Sequence, residues 1–357
     1  MIFKGSIIRP LALLLSVVLV SEDFFHLLNV PYQIQKLPLL TDIQRVALIW
    51  ARNGSWISSS DPPLYEPPKA ITLPFGEGHQ FREGCGSDLD RQDVLKPRWQ
   101  PSLGTNIPPF PRWSLLKTCE AIEGRTIIVV GDSMSGEFTD SLISALTVWT
   151  KDLSSKMPLN RGDVSMVCGI DIPTNVIWIP VTVFEDGAPW RELLWDAHSK
   201  SINSSASPPI FILNRGAWPL PRDLHIARVS AALAFVRSLA PDSLIFWRTT
   251  NTGHPNCAKY KSALSFPIPL TDYSGLAIQY KWHQIPAINA YTLLHLPSDV
   301  IVLEIEPATL LRADSHPLRK FAIDGVSQDS LHYCIPGPID MWVELFAVIR
   351  FSRGLLD

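Results

Sequence analysis

Two short stretches of this 357-residue chain carry side chains that can do chemistry together. The first, Ile127-Ile-Val-Val-Gly-Asp-Ser133, is a run of four apolar β-formers that stops at Gly-Asp-Ser. A serine just past the carboxyl end of a strand, where a helix begins, sits among unpaired backbone N–H groups and the positive end of a helix dipole. That setting suits a hydroxyl that becomes an ester oxygen beside a developing oxyanion. Such a hydroxyl needs a general base at neutral pH. The second stretch, Asp329-Ser-Leu-His332, supplies one: a spacing of three on a tight turn delivers an imidazole together with the carboxylate that fixes its tautomer. Gly-Asp-Ser alone is common turn chemistry, and Asp-x-x-His alone is no more specific. Their order in the chain is what joins them.

The elements that must position these groups alternate. Residues Thr126–Val130, Val176–Val181, Pro209–Leu213, Ser243–Arg248 and Val300–Glu304 are short, β-branched apolar runs, as expected of strands buried on both faces. Helix-compatible stretches separate them: Gly136–Thr150, Pro221–Leu239, and about 278–294 with Pro286 interrupting. This pattern predicts a parallel sheet between layers of helices, with the site outside the carboxyl ends of its strands. A last helix is expected from Pro338, with Gly354 placed to stop it. Residues 53–118, rich in Pro, Gly, Ser and Trp, read as a loop-rich cover on the core at 119–357.

Composition narrows the partners. With 31 Lys and Arg against 34 Asp and Glu, the net charge of −3 gives no electrostatic case for nucleic acid. Lys4 and Arg9 precede an uncharged run from Leu11 to Val20, so residues 1–28 read as a signal peptide or signal anchor and 29–52 as a stem. Association with a membrane would run through that segment. Five cysteines without a Cys-x-x-Cys pair argue against a zinc ribbon and allow disulfides in a secreted chain, two bridges and one thiol being the simplest count. Asn53-Gly-Ser and Asn203-Ser-Ser are glycosylation sequons, meaningful only in that compartment.

Several motifs, in order from about residue 53 to the end, resemble the trichome birefringence-like and PC-esterase family of the SGNH hydrolase superfamily. They are Gly54-Ser-Trp56 with Pro63-Leu-Tyr65, Arg98-Trp-Gln-Pro101, Gly131-Asp-Ser133, Trp247-Arg-Thr-Thr250 with His254, Leu311-Arg-Ala-Asp-Ser-His-Pro317, and Asp329-Ser-Leu-His-Tyr-Cys-Ile-Pro-Gly337 with Asp340 and Trp342. Three departures stand out against the family pattern. Ser135-Gly-Glu-Phe138 stands after the serine block where the family has Arg-Asn-Gln-like residues, Ser330 occupies a position where cysteine is usual, and Tyr333 replaces tryptophan.

The resemblance implies a three-layer α/β/α domain over 53–357. It also implies an O-acetyltransferase that moves an acetyl group to a polysaccharide or glycan hydroxyl through Ser133, His332 and Asp329. The alternatives are a carbohydrate acetylesterase and a catalytically silent glycan-binding protein. By the same resemblance Asn214 or Gly216, past the Pro209–Leu213 strand, joins the Ser133 amide as an oxyanion donor. Asn214 reads equally as an amide capping its own turn. Arg248 contacts donor or acceptor, or forms a structural ion pair. Asp314 and His316 shape the site and are the substitute acid and base. The mechanism calls for no metal and no dissociable cofactor. The expected compartment is the secretory pathway, with a lumenal domain at the Golgi membrane or a secreted protein as the alternative.

Overall fold

The computed structural model describes residues 42–58, 97–102, 115–122, 124–147, 164–168, 174–185, 189–204, 207–274, 278, 280–317, 329–335 and 337–353. The expected leader at 1–28, most of the loop-rich cover and the Gly354 stop lie outside these residues.

A six-stranded sheet forms the centre: β3 (Ile127–Gly131), β4 (Val164–Val167), β5 (Thr174–Pro180), β6 (Ile210–Leu213), β7 (Leu244–Arg248) and β8 (Ile301–Leu303), in the order β4-β5-β3-β6-β7-β8. Five strands are parallel, and β4 pairs antiparallel with β5 at one edge. Every residue of β3 is buried. The pleat sends Ile127 and Val129 to one face and Ile128 and Val130 to the other.

The first face packs on α1 (Asp42–Arg52), α2 (Leu115–Ile122), α3 (Ser133–Thr147) and α8 (Pro338–Arg353). Phe138, Leu142 and Leu146 recur every fourth residue along α3 and meet Trp342 and Phe346 of α8 in this core. Phe346 also meets Phe246 edge to face at 5.2 Å. The second face packs on α4 (Trp190–Ser204) and α5 (Arg222–Leu239) through Trp190, Leu194, Val229, Leu233 and Val236, and α6 (Ile285–His295) and the short α7 (Glu306–Thr309) come before and after β8 in the chain. The result is the three-layer α/β/α sandwich.

Two differences from the sequence pattern matter for the site. Helix α3 begins at Ser133, three residues before the expected Gly136. Gly136 is carried inside the helix because a Cβ there would stand only 3.0 Å from the Trp178 ring, so the glycine lets α3 lie close to β5. The stretch read as a stem carries α1, whose Ala47, Leu48, Trp50 and Ala51 are buried. Its Arg52 makes a bidentate contact with Glu304, which follows β8. The Gly-Ser-Trp and Arg-Trp-Gln-Pro motifs pair as β1 (Gly54–Ile57) and β2 (Arg98–Pro101), with Trp56 opposite Trp99.

In chain order the five parallel strands run second, first, third, fourth, fifth. The order reverses between β3 and β6, the place where open α/β sheets hold their ligands.

Candidate active site

Ser133 is the first residue of α3, directly after β3, on the carboxyl side of that reversal. Asp132 holds the turn from both sides. Its Oδ1 accepts the Met134 N–H at 3.1 Å, the ordinary work of an aspartate at a helix start. Its Oδ2 accepts the Ala217 N–H at 2.9 Å and so fastens the loop after β6 to the serine turn. Gly216 lies against the same carboxylate. Its φ is +84°, and a Cβ would stand 2.2 Å from Asp132 Oδ2, so only glycine fits. The Ser135 and Gly136 amides fold back on the Asp132 carbonyl, which leaves the Ser133 amide as the first N–H of the helix end.

His332 Nε2 stands 2.8 Å from Ser133 Oγ, and its Nδ1 stands 2.7 Å from Asp329 Oδ2. Asp329 is also a local brace: its Oδ1 accepts the N–H groups of Leu331 and His332. Burial works against charge on the imidazole. Asp329 outweighs it, with Glu137 and Asp132 adding, and raises His332 to about 9. Burial likewise opposes the Asp329 carboxylate, but His332 and the two backbone N–H groups hold it down to about 2. Ser133 is partly exposed while Asp329 is buried, so solvent reaches the hydroxyl end of the chain of bonds.

The other expected residues fall differently. Asn214 gives its amide hydrogens to the Arg248 carbonyl and to Thr250 Oγ1, at 2.8 and 2.9 Å, and thereby ties the ends of β6 and β7 together. Gly216 is brought to the serine turn and the Asn214 hydrogens are not. Arg248 is fully buried under α3: its Nη2 donates to Ser135 Oγ at 2.9 Å and its guanidinium lies 4.9 Å from the Trp342 ring centre. Burial presses it down to about 10 while Asp132 and Glu137 pull the other way. Asp314 forms a buried ion pair with Arg312. His316 donates from Nδ1 to the His332 carbonyl at 2.6 Å and does not reach the serine.

Glu137 was visible in the sequence only as a departure from the family pattern. It sits one helical turn after Ser133, on the same face of α3, and the spacing of four was the available signal. Its Oε2 accepts the Tyr333 N–H at 3.3 Å, and its Oε1 is buried with no hydrogen-bond partner among the described residues. Burial pushes its carboxyl up to about 8, with Asp329 and Asp140 adding and His332 opposing.

Cys119 and Cys168 form a disulfide, and Cys334 is disulfide-bonded as well. Cys257 is a buried thiol whose Sγ lies 3.5 Å from Ser330 Oγ. Among the described residues no helix is long and apolar enough to cross a membrane.

Comparison with known proteins completes the picture. The model of the PC-Esterase family, described as a GDSL/SGNH-like acyl-esterase family found in Pmr5 and Cas1p, matches residues 225–349. Protein trichome birefringence-like 25 of Arabidopsis thaliana is 33% identical over 359 residues, covering 84% of this chain and 76% of its own. Xyloglucan O-acetyltransferase 4 of Populus trichocarpa is 24% identical over 357 residues, covering 84% and 80%. An α/β/α sandwich with a Gly-Asp-Ser helix start at the sheet reversal, an Asp-x-x-His turn against it and a relative of this identity and coverage agree on one conclusion: the chain is an acyl-ester enzyme, acyltransferase or esterase, and belongs to the trichome birefringence-like, PC-esterase family.

Proposed function

We propose that this enzyme is a polysaccharide O-acetyltransferase working through an acetyl ester on Ser133. The observation that carries the reading is the continuous Asp329–His332–Ser133 chain of contacts at 2.7 and 2.8 Å. His332 Nε2 takes the Ser133 proton as Oγ bonds to the carbonyl carbon of an acetyl donor. The oxyanion faces the Ser133 and Gly216 amides, each such donor contributing about 3 kcal/mol. Collapse of the tetrahedral intermediate expels the donor's leaving group, which collects the proton from His332. A sugar hydroxyl then gives its proton to His332, attacks the acetyl carbon, and leaves as the O-acetyl ester while Ser133 regains a proton. Asp329 keeps the imidazole in the right tautomer and stabilises the imidazolium in both halves.

A relative bearing the name xyloglucan O-acetyltransferase supports a polysaccharide acceptor. The Cys119–Cys168 disulfide supports an oxidising compartment, and with it the secretory pathway. Hydrolysis is the second reading, favoured by the acyl-esterase description of the matched family and by the partial exposure of Ser133 to water.

Incubating the full chain with a 13C-acetyl aryl ester, with and without xyloglucan, separates the two. Label on Ser133 that moves to the glucan supports transfer. Label released as acetate at a rate that ignores the glucan supports hydrolysis. No label on Ser133, with wild type and Ser133→Ala reacting alike, would end both readings. The expected loss on Ser133→Ala is about 10⁴-fold or more.

A further inference from the structure

The turn that carries His332 has no ladder of its own, since residues 329–335 contain no helix and no strand. Each of its first four carbonyls is instead taken by a donor from another segment. Cys257 Sγ reaches the Asp329 carbonyl at 3.4 Å, the His254 N–H that of Ser330 at 2.7 Å, Asn251 Nδ2 that of Leu331 at 3.4 Å, and His316 Nδ1 that of His332 at 2.6 Å. The short contacts both come from histidines. These two histidines also touch each other, His254 Nδ1 to His316 Nε2 at 2.7 Å, and both are fully buried. The far nitrogen of His254 faces the Leu310 carbonyl at 2.9 Å, and His316 stacks on the Tyr333 ring at 4.4 Å.

Two fully buried imidazoles cost more than the leucine or phenylalanine that would fill the same space. The bonds they make therefore indicate what they are for. Counting hydrogens orders those bonds. Both outer nitrogens face carbonyls, which only accept, and the 2.7 Å contact between the rings needs one hydrogen more. Three hydrogens on four nitrogens would make the pair a cation. Burial opposes that and holds His254 down to about 4 and His316 well below its ordinary range, with Asp314 and Asp329 pulling up and Arg312 and His332 pulling down. In the neutral pair His316 keeps its hydrogen on Nδ1 for the His332 carbonyl, the shortest contact, and His254 donates from Nδ1 to His316 Nε2. The Leu310 contact is the one left without a hydrogen.

We propose that His316, itself held by His254, is a positioning residue for the catalytic base: it anchors the backbone of His332 so that the imidazole stays between Asp329 and Ser133. The inference rests on the acetyl-Ser133 reading above for its catalytic consequence, but not for its structural one.

The test compares His316→Leu, which removes the donor, with His316→Asn, whose side-chain amide can place a hydrogen near the position of Nδ1. In wild type and both variants of the full chain, acylation of Ser133 by a 13C-acetyl aryl ester is followed across pH, and His332 is titrated by 15N NMR. His316→Leu is expected to lower kcat for acylation about tenfold or more with little change in KM, since a base displaced by a fraction of an ångström loses its alignment. It should also bring the raised His332 titration down by about one pH unit as its contact with Asp329 loosens. His316→Asn should restore most of both. A folded His316→Leu protein whose kcat and His332 titration match wild type would overturn the proposal. So would equal losses in the leucine and asparagine variants. Failure of wild type to acylate Ser133 would sink the acetyl-enzyme reading instead, and the NMR titration would still decide this one.

Discussion

The two halves of the candidate active site are built in opposite ways. Ser133 stands on regular structure: the end of a fully buried strand, the start of a fifteen-residue helix, and an aspartate that caps that helix and holds the neighbouring loop. His332 hangs on an irregular turn whose place is set by side chains and backbone donors from residues 251–257 and 313–316 and by Glu137. One half gains precision from hydrogen-bond ladders and a packed core. The other depends on a small number of buried polar contacts, each sensitive to replacement because an unpartnered buried polar group is costly. Under the proposed mechanism, a nucleophile on rigid elements and a base on a braced turn also divide the labour sensibly. That mechanism has the serine meet the oxyanion donors in one geometry and the imidazole face first the donor's leaving group and then the acceptor.

Three changes would break or sharpen this contrast. The largest effect is expected from Asp329→Asn, which removes the carboxylate of the braced half: kcat should fall about 10³- to 10⁴-fold. Stability should fall too, on the order of 2 kcal/mol. That loss has a sign in pH. His332 is raised from 6.5 to about 9, so the pair's contribution is complete below about 6.5 and fades as pH climbs through 9. Asp329 is lowered from 3.8 to about 2, so on the acid side it fades below about 4. Denaturant unfolding of wild type and variant at about pH 5.5 and about pH 9.5 should therefore differ clearly at the first and hardly at the second. An equal difference at both would mean that the carboxylate braces the backbone without engaging the imidazole.

Gly216→Ala strikes the regular half. At φ +84° with a Cβ placed 2.2 Å from Asp132 Oδ2, it should cost about 2–4 kcal/mol and slow acylation about ten- to a hundredfold by shifting the serine turn. A variant with wild-type stability would show that the turn yields more than its packing indicates.

Glu137→Gln is the mildest and touches both halves, since Glu137 stands on the nucleophile helix and accepts from the base turn. Without its charge His332 should titrate lower, and the acid limb of the acylation profile should move down by about one pH unit. Glu137 is raised from 4.5 to about 8, so the folded chain keeps a proton that the unfolded chain releases, and wild-type stability is lowered as pH rises between those values. One proton held by the folded chain alone costs about 1.4 kcal/mol of stability for every pH unit climbed, and the glutamine variant should be spared that slope. An unchanged acid limb would place Glu137 outside the electrostatics of the base.

The regular half was legible in the sequence and the braced half only in part. Continuous apolar runs such as Ile127–Val130 and Ile210–Leu213 announce strands buried on both faces, and the Gly-Asp-Ser that follows the first run, common turn chemistry by itself, gained meaning from the Asp-x-x-His placed before the last helix. The Asp329-to-His332 spacing was readable because both partners lie on one turn. The bracing contacts were not, because His254 and His316 are 62 residues apart and nothing local marks them as a pair. Arg248, at a strand end, suggested a substrate contact. Its burial under Ser135 and Trp342 depends on helices α3 and α8 meeting, which no single segment encodes. Strand β4, four residues long and antiparallel at the edge, and helix α4, with Trp195 and Ile202 exposed, carry patterns too short or too mixed for periodicity to pick out.

The hydroxyl and the imidazole that meet at 2.8 Å are separated by 199 positions. A polypeptide leaving the ribosome amino end first shows its serine turn long before the histidine turn has been made, and the closing helix α8 comes later still. Immature chains therefore hold the serine without its imidazole partner. The contact between the two groups forms only once the later turn has been made and has docked, so the pairing at the sheet reversal is among the last long-range contacts the chain can complete.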